Sequence, residues 1–116
     1  MDTVASPPAV SLTNDPILAE ILRRLVAAYQ PERIYLFGSK ARGDDGPDSD
    51  YDLMVIVSDE APLARRRSRL AYQRLWGIGT AADVLVWTNS QFDSRRHLRA
   101  SLPATIMREG KLLHAD

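Results

Sequence analysis

The sequence of 116 residues contains no cysteine, which excludes disulfide bonds and thiolate metal sites. Its 15 acidic and 15 basic residues balance, so a broad basic surface for bulk nucleic-acid binding is not expected. No apolar run reaches the roughly 20 residues of a membrane-spanning helix. The N-terminus also lacks the basic and apolar regions of a signal peptide. We therefore expect a cytoplasmic protein without a membrane segment.

Histidine is also scarce, and neither His97 nor His114 has a metal-ligand partner at a suitable spacing. Hydrophobic residues make up 45% of the chain, which is enough for the core of one domain of this size. We predict a flexible N-terminal tail at residues 1–13 and a single domain at residues 14–116.

Apolar periodicity and turn residues predict an alternation of helices and strands. Helices are expected at Asp15–Tyr29 with Asn14 as N-cap, at Ala61–Trp76, and at Ser90–Arg108 with a bend near Pro103. Strands are expected at Arg33–Phe37, Tyr51–Val57 and Ala82–Trp87, with a possible edge strand at Lys111–His114 and a helical turn at residues 39–43. This order predicts an α/β fold with a small mixed sheet of three core strands plus a possible edge strand, carrying helices.

The helix predicted at Ala61–Trp76 should bury one face and expose the other. Candidates for the buried face are Leu63, Leu70, Leu75 and Trp76. The arginines at residues 65–67 and 69 are expected to face solvent rather than a partner. Trp76 and Trp87 are expected to pack in or beside the core rather than to stack on bases.

A glycine turn followed by two aspartates is the most informative pattern in the chain. Gly38 and Ser39 end the first predicted strand, and N–H groups of such a turn can bind phosphate. Asp50 and Asp52 stand at the start of the second strand, where side chains two residues apart share one face. Paired carboxylates can bind a hard cation such as Mg²⁺. Acidic residues beside a strand can also be ordinary turn residues, and that interpretation stays open for an isolated Asp-x-Asp pair.

Two further residues could join this group. Asp83 opens the third strand and becomes a candidate third carboxylate if the two strands are neighbours. Arg42 could contact phosphate oxygens through its planar guanidinium, or it could form a surface ion pair with Asp44 or Asp45.

Together these residues resemble the polymerase-β-type nucleotidyltransferase superfamily. The motifs that carry the resemblance are Gly38-Ser39, Ala41-Arg42-Gly43, Ser49-Asp50, Asp52-Leu53 and the later Asp83. The resemblance runs from Ile34 to Val86, with a further similar stretch at Ile106–Leu113. The chain length is similar to that of the minimal nucleotidyltransferases of bacteria and archaea.

The resemblance implies a polymerase-β-like fold and transfer of a nucleoside monophosphate from a triphosphate, ATP, with release of pyrophosphate. Gly38 and Ser39 would bind the triphosphate, with Arg42 as an additional phosphate contact. Asp50 and Asp52 would hold two Mg²⁺ ions. Asp83 would share one metal and help to activate the attacking hydroxyl group.

The chain shows no second domain that could form an acceptor pocket, so the acceptor is expected on another polypeptide. Many members of the minimal family resemble antitoxins that act on a HEPN-type toxin, some by adding AMP to a tyrosine. The leading interpretation is therefore an adenylyltransferase antitoxin that forms a complex with such a toxin. Two alternatives remain: nucleotide transfer to a small molecule such as an aminoglycoside, and an antitoxin that acts by binding alone.

Overall fold

The computed structural model describes residues 15–44, 46 and 49–116. Its helices are α1 (Pro16–Tyr29), α2 (Ser39–Arg42), α3 (Arg69–Arg74), α4 (Asn89–Asp93) and α5 (Leu102–Glu109), with a 3₁₀ turn at Leu63–Arg66 before α3. Its strands are β1 (Arg33–Phe37), β2 (Tyr51–Val57), β3 (Ala82–Thr88) and β4 (Lys111–Ala115). The tail predicted at residues 1–13 lies outside the described residues.

The four strands form a mixed sheet in the order β3–β2–β1–β4. Strand β2 is parallel to β3 and antiparallel to β1, and β1 is antiparallel to β4. The sheet confirms the predicted α/β class, including the edge strand at the C-terminal end. Strand β2 lies inside the sheet between β3 and β1, which explains why every residue from Leu53 to Val57 is buried.

Helices cover both faces of the sheet. The larger core cluster joins α1 and α3 to one face and includes Leu18, Leu25, Leu53 and Val84. The smaller cluster joins α4 and α5 to the other face and consists of the buried residues Tyr35, Met54, Ile56, Phe92 and Ile106. Because side chains alternate along a strand, Asp52 lies on the same face as Met54 and Ile56.

Helix α1 buries the predicted stripe of apolar residues, including Leu18, Ile21 and Leu25. Its N-cap is Asp15, whose carboxylate accepts a hydrogen bond from the Leu18 N–H at 2.9 Å. The prediction of Asn14 as N-cap is therefore wrong, and Asn14 itself lies outside the described residues. At 14 residues α1 is the longest described helix. Among the residues that the structure describes, no helix has the length and apolar character needed to cross a membrane.

The helix predicted at Ala61–Trp76 is wrong in extent, because the chain is extended at Arg67 and only 69–74 is α-helical. The Tyr29 hydroxyl from α1 stabilises this break. It donates a hydrogen bond to the Arg67 carbonyl at 2.5 Å and accepts one from the Ala71 N–H at 2.8 Å. Leu75 is buried as predicted, whereas Leu63 and Trp76 are exposed, contrary to the prediction.

The helix predicted at Ser90–Arg108 is two helices, α4 and α5. Helix α4 begins with a capping box between Thr88 and Gln91. Helix α5 begins at Ser101, whose side chain accepts a hydrogen bond from the Ala104 N–H. Pro103 therefore lies in the first turn of a new helix, where its missing N–H costs nothing, and does not bend a continuous one.

Candidate active site

Asp52 and Asp83 are register partners on the parallel strands β2 and β3. Partnered residues of neighbouring strands point to the same face, so both carboxylates lie at one end of this strand pair on the face of the smaller core cluster. The pairing begins one residue earlier, at Tyr51 and Ala82, and the Tyr51 N–H donates a hydrogen bond to the Ala81 carbonyl at 3.1 Å. The two predicted acids from separate parts of the sequence are thus brought together.

Asp50 is exposed and directly precedes β2, two residues before Asp52. Its charge acts on the Asp52 carboxyl group, as does the charge of Asp83. All three predicted acids therefore share the same electrostatic environment at this end of the sheet.

Gly38 lies directly beside the Asp52 carboxylate. Its neighbour Phe37 is the β1 partner of Asp52. A Cβ atom added to Gly38 would lie 2.2 Å from Oδ2 of Asp52, which is closer than any real side chain can approach. Gly38 also has φ +75° and ψ −160°, a backbone conformation that is essentially restricted to glycine. The structure thus places the predicted phosphate turn in contact with a predicted metal ligand.

Ser39 is the first residue of α2, which follows Gly38 immediately. The Gly38 carbonyl accepts hydrogen bonds from the N–H groups of Ala41 and Arg42, both at 3.1 Å. Ala41 is buried and anchors the turn to the core, and the turn ends at Gly43 with φ +82°. This turn confirms the local structure predicted for residues 39–43 and holds Ser39 at the end of β1.

Arg42 forms the ion pair that was one of its two predicted roles, and its charge also acts on Asp52. Its Nε lies 3.2 Å from Asp44, and its Nη1 lies 3.7 Å from Glu109 at the end of α5. The adjacent Asp44 carboxylate, and then Glu109, raise the pKa of the Arg42 guanidinium above its ordinary value. The Arg42 charge also acts to lower the pKa of Asp52, so the side chain lies within electrostatic reach of the site.

Burial, followed by the charges of Asp83 and Asp50, raises the pKa of the Asp52 carboxyl group. A cation bound between these carboxylates would relieve that repulsion. Within residues 15–44, 46 and 49–116, no three acidic or histidine side chains converge closely enough to surround one ion. Mg²⁺ commonly takes one or two carboxylates and completes its shell with water and substrate phosphates, so an open set of oxygen ligands of this kind fits it.

Lys40 and Tyr51 also belong to the surroundings of the site, although neither is among the predicted site residues. The Lys40 ammonium lies 4.5 Å from the centre of the Tyr51 ring. The Tyr51 hydroxyl lies 2.9 and 3.0 Å from the two carboxylate oxygens of Asp15 and donates to them. This contact ties the start of α1 to the start of β2. Lys40 could have been found from the sequence, because it is a basic residue inside the turn Gly38–Arg42.

A family model, described as a nucleotidyltransferase domain, matches residues 17–112 of the chain. A search of curated proteins found no significant match in sequence.

Solved structures share the fold at low sequence identity. A protein of Sulfolobus solfataricus, described as a candidate nucleotidyltransferase, has a TM-score of 0.52 and 24% identity over 68% of this chain and 70% of that one. A toxin–antitoxin structure with AMP-PNP has a TM-score of 0.54 and 22% identity over 84% of this chain and 73% of that one. A mutant of the toxin–antitoxin MntA–HpeT has a TM-score of 0.53 and 20% identity over the same shares, 84% and 73%.

The mixed sheet and the turn-and-carboxylate arrangement, together with these matches, define an enzyme of the nucleotidyltransferase class. The chain belongs to the nucleotidyltransferase domain family, because the family model covers most of its length. The family resemblance expected from the sequence motifs is confirmed.

Proposed function

We propose that this chain is a Mg²⁺-dependent adenylyltransferase that transfers AMP from ATP to a tyrosine of a HEPN-type toxin and thereby acts as its antitoxin. We place the reaction in the cytoplasm, where ATP and Mg²⁺ are available. The observation that carries the enzymatic part is the contact between Gly38 and Asp52 beside Asp83. This contact puts a turn suited to phosphate next to carboxylates suited to a metal.

The residues of the site have separate parts in this proposal. Asp50, Asp52 and Asp83 would hold Mg²⁺, which supplies charge neutralisation on the triphosphate when bound. Gly38 and Ser39 contact the triphosphate, and Arg42 adds a guanidinium to the phosphate oxygens. Asp83 is exposed, whereas its partner Asp52 is half-buried. In this proposal Asp83 faces the acceptor hydroxyl and helps to remove its proton.

The proposed reaction is an in-line displacement at the α-phosphorus of ATP. The acceptor oxygen forms a bond to that phosphorus, the bond to the β-phosphate oxygen breaks, and pyrophosphate leaves. The proton of the acceptor hydroxyl passes to a carboxylate or to water. The chain supplies position and electrostatics for this step and needs no nucleophile of its own.

The fold neighbours and the family resemblance each contribute to the proposal of a protein acceptor. The fold neighbours include toxin–antitoxin structures, one of them with AMP-PNP. The HEPN fold of the partner and the tyrosine acceptor follow from the family resemblance.

The test is an incubation of the purified chain with Mg²⁺, the candidate toxin and ATP labelled at the α-phosphate. We expect label on a toxin tyrosine, located by peptide mass spectrometry, and no label when the γ-phosphate carries the isotope. Label on an added aminoglycoside instead would support small-molecule transfer. Toxin inhibition with no label anywhere would support neutralisation by binding alone.

A matched pair of variants assigns the activity to the site. Asp52→Asn should abolish labelling, because an amide cannot supply the charge of a metal-binding carboxylate. Glu60→Gln changes an exposed acid outside the site and should label the toxin at the wild-type rate. Equal activity of both variants would contradict the proposed role of Asp52.

A further inference from the structure

The segment from residue 61 to residue 82 is basic throughout, although the whole chain has no net charge. It contains five arginines, at residues 65, 66, 67, 69 and 74, and no aspartate or glutamate. None of the five forms an ion pair with any residue that the structure describes. The charge of Arg66 acts on the Asp59 carboxylate, whereas Arg67 and Arg69 form no ion pair with any described residue.

The same segment exposes large apolar side chains. Leu63 is 61% exposed, Tyr72 is 51% exposed and Trp76 is 87% exposed. Tyr72 lies on α3 and Trp76 in the turn that follows it, and both side chains line the same groove. Exposed apolar side chains that lie close together are typical of a surface that binds a partner, because covering them removes apolar area from water.

These side chains line two adjoining shallow grooves. One, of ≈ 660 Å³, is formed by Ser68, Arg69, Tyr72, Gln73 and Trp76. The other, of ≈ 310 Å³, includes Leu63, Arg67 and Arg69. We call the residues Leu63, Arg67, Arg69, Tyr72 and Trp76 the α3 surface. It combines apolar anchoring points with guanidinium groups at its centre.

We propose that the α3 surface docks an acidic amphipathic segment of a partner protein. Carboxylates of the partner pair with Arg67 and Arg69, and an apolar side chain of the partner packs against Trp76 and Tyr72. Charge complementarity defines the partner, because uncompensated arginines attract carboxylates and repel basic surfaces. Tryptophan, tyrosine and arginine are also the residues that most often dominate the binding energy of protein interfaces.

The same features favour a protein over RNA. The chain has a pI of about 6.7, whereas nucleic-acid-binding domains commonly have a pI above about 9. Leu63 offers an aliphatic contact, and protein–nucleic acid interfaces are more polar than protein–protein ones. The grooves therefore suit an apolar and acidic protein segment.

Helix α3 packs on the sheet face opposite the candidate acids, but a groove leads from the α3 surface to the edge strand β3. A third groove, of ≈ 430 Å³, runs from Tyr72 and Trp76 to Ala82, and Ala82 is followed directly by Asp83. A partner bound at the α3 surface therefore reaches the acids only by passing around the edge strand β3. The view that this partner is also the nucleotide acceptor rests on the proposed function, whereas the docking itself does not.

Binding can be measured by fluorescence anisotropy with synthetic peptides, without ATP or metal. The probe is a labelled amphipathic helix of about 18 residues, or five turns, with glutamates on one face and leucine and phenylalanine on the other. Its control is the same peptide with lysine in place of each glutamate. A single-stranded oligouridylate of similar length is the nucleic-acid probe. We expect the acidic peptide alone to bind, with an affinity that falls as salt increases.

Trp76→Ala and Arg69→Glu should each weaken peptide binding by about tenfold or more, because Arg69 lines both grooves and Trp76 is the most exposed aromatic side chain of the surface. Both side chains are exposed, so the fold should persist, which circular dichroism can verify. Leu98→Ala is the matched control, because Leu98 is 50% exposed and lies between α4 and α5. It should leave binding unchanged. In a Trp87→Phe background, the emission of Trp76 should shift to shorter wavelength when the peptide binds.

Equal binding of the acidic and lysine peptides, tighter binding of the oligouridylate, or wild-type affinity in Trp76→Ala would each overturn the proposal. The assay and the labelling experiment can fail separately. Peptide binding without AMP transfer would leave the α3 surface assigned and contradict the proposed reaction. AMP transfer without peptide binding would support the proposed reaction and contradict the role of the α3 surface.

Discussion

Oδ2 of Asp52 occupies the space that the first side-chain atom of any residue other than glycine would need at position 38. Gly38 directly follows β1, and the antiparallel register brings the end of β1 against Asp52 at the start of β2. The backbone turn and the carboxylate are therefore fitted to each other, and a change in one must displace the other.

Gly38→Ala should destabilise the fold and abolish most of the transfer activity. The alanine would be strained at φ +75° and ψ −160°, a cost on the order of 1–3 kcal/mol, and its methyl group would also displace Asp52. Urea denaturation and the α-phosphate labelling assay measure the two effects. Gly43→Ala is the control, because Gly43 also has positive φ but nothing lies within 4 Å of an added Cβ. It should cost only about 1 kcal/mol and keep the activity. Equal loss of activity in both variants would contradict the specific role of Gly38.

Asp52→Asn should stabilise the metal-free protein at neutral pH although it abolishes transfer. The pKa of Asp52 is raised by burial and by the charges of Asp83 and Asp50, so its ionised form is disfavoured in the fold. Folding therefore favours the protonated form of Asp52. This contribution to the stability of the wild type is fully present below the ordinary carboxyl pKa, and it is lost as the pH rises through the raised pKa of the folded state. The variant should therefore gain in Tm relative to wild type at pH 7 and lose that gain at pH 3.

The same pair of proteins tests the metal site. Mg²⁺ should raise the Tm of the wild type at pH 7, because it relieves the repulsion among the carboxylates, and it should have little effect on Asp52→Asn. Glu60→Gln should respond to Mg²⁺ as the wild type does. A wild-type Tm that does not depend on Mg²⁺, with or without ATP, would argue against the metal assignment.

Arg42→Ala should raise the KM for ATP several-fold with little effect on stability. Both ion pairs of Arg42 are largely exposed, and such pairs contribute at most about 1 kcal/mol to the fold. Contact with the triphosphate is the role that the substitution would remove. Arg96→Ala removes a comparable exposed ion pair, with Asp93, and should leave the kinetics unchanged. An unaltered KM in Arg42→Ala would show that Arg42 forms ion pairs only and does not contact the triphosphate.

Tyr29→Phe should destabilise the protein by about 1–3 kcal/mol, because it leaves the Arg67 carbonyl and the Ala71 N–H without their partner. Tyr72→Phe removes an equivalent hydroxyl from an exposed tyrosine and should change the free energy of unfolding by less than about 0.5 kcal/mol. Urea denaturation of both variants measures the difference. Similar values for the two would show that the Tyr29 hydroxyl does not hold the break before α3.

The strands were predictable because their causes are local. β1, β2 and β3 are runs of apolar and β-branched residues bounded by glycine, proline and polar turns, and each lies within one residue of its predicted limits. The break at Arg67 was not predictable, because it depends on the Tyr29 hydroxyl, 38 residues earlier in the sequence. Ser101 and Pro103 did carry the signal for a new helix, and interpreting the proline as a bend concealed it.

The candidate site shows the same division. The spacing of Asp50 and Asp52 and the adjacent glycine turn could be seen in the sequence. The alignment of Asp83 with Asp52 depends on the register of two parallel strands, and the pairing of Arg42 with Glu109 depends on the position of α5. Neither follows from local pattern, because both require the packed tertiary structure.

The parallel pairing of β2 and β3 also determines when the site can exist during folding. Gly38 and Asp52 meet where the end of β1 lies against the start of β2, whereas Asp83 joins them only after the crossover at residues 58–81 has closed. Closing such a long connection costs chain entropy before its contacts repay it, so we expect this docking step to be slower than formation of the β1–β2 pair. A nascent or partly opened chain therefore holds an incomplete set of acids, and catalytic competence reports on completion of the fold.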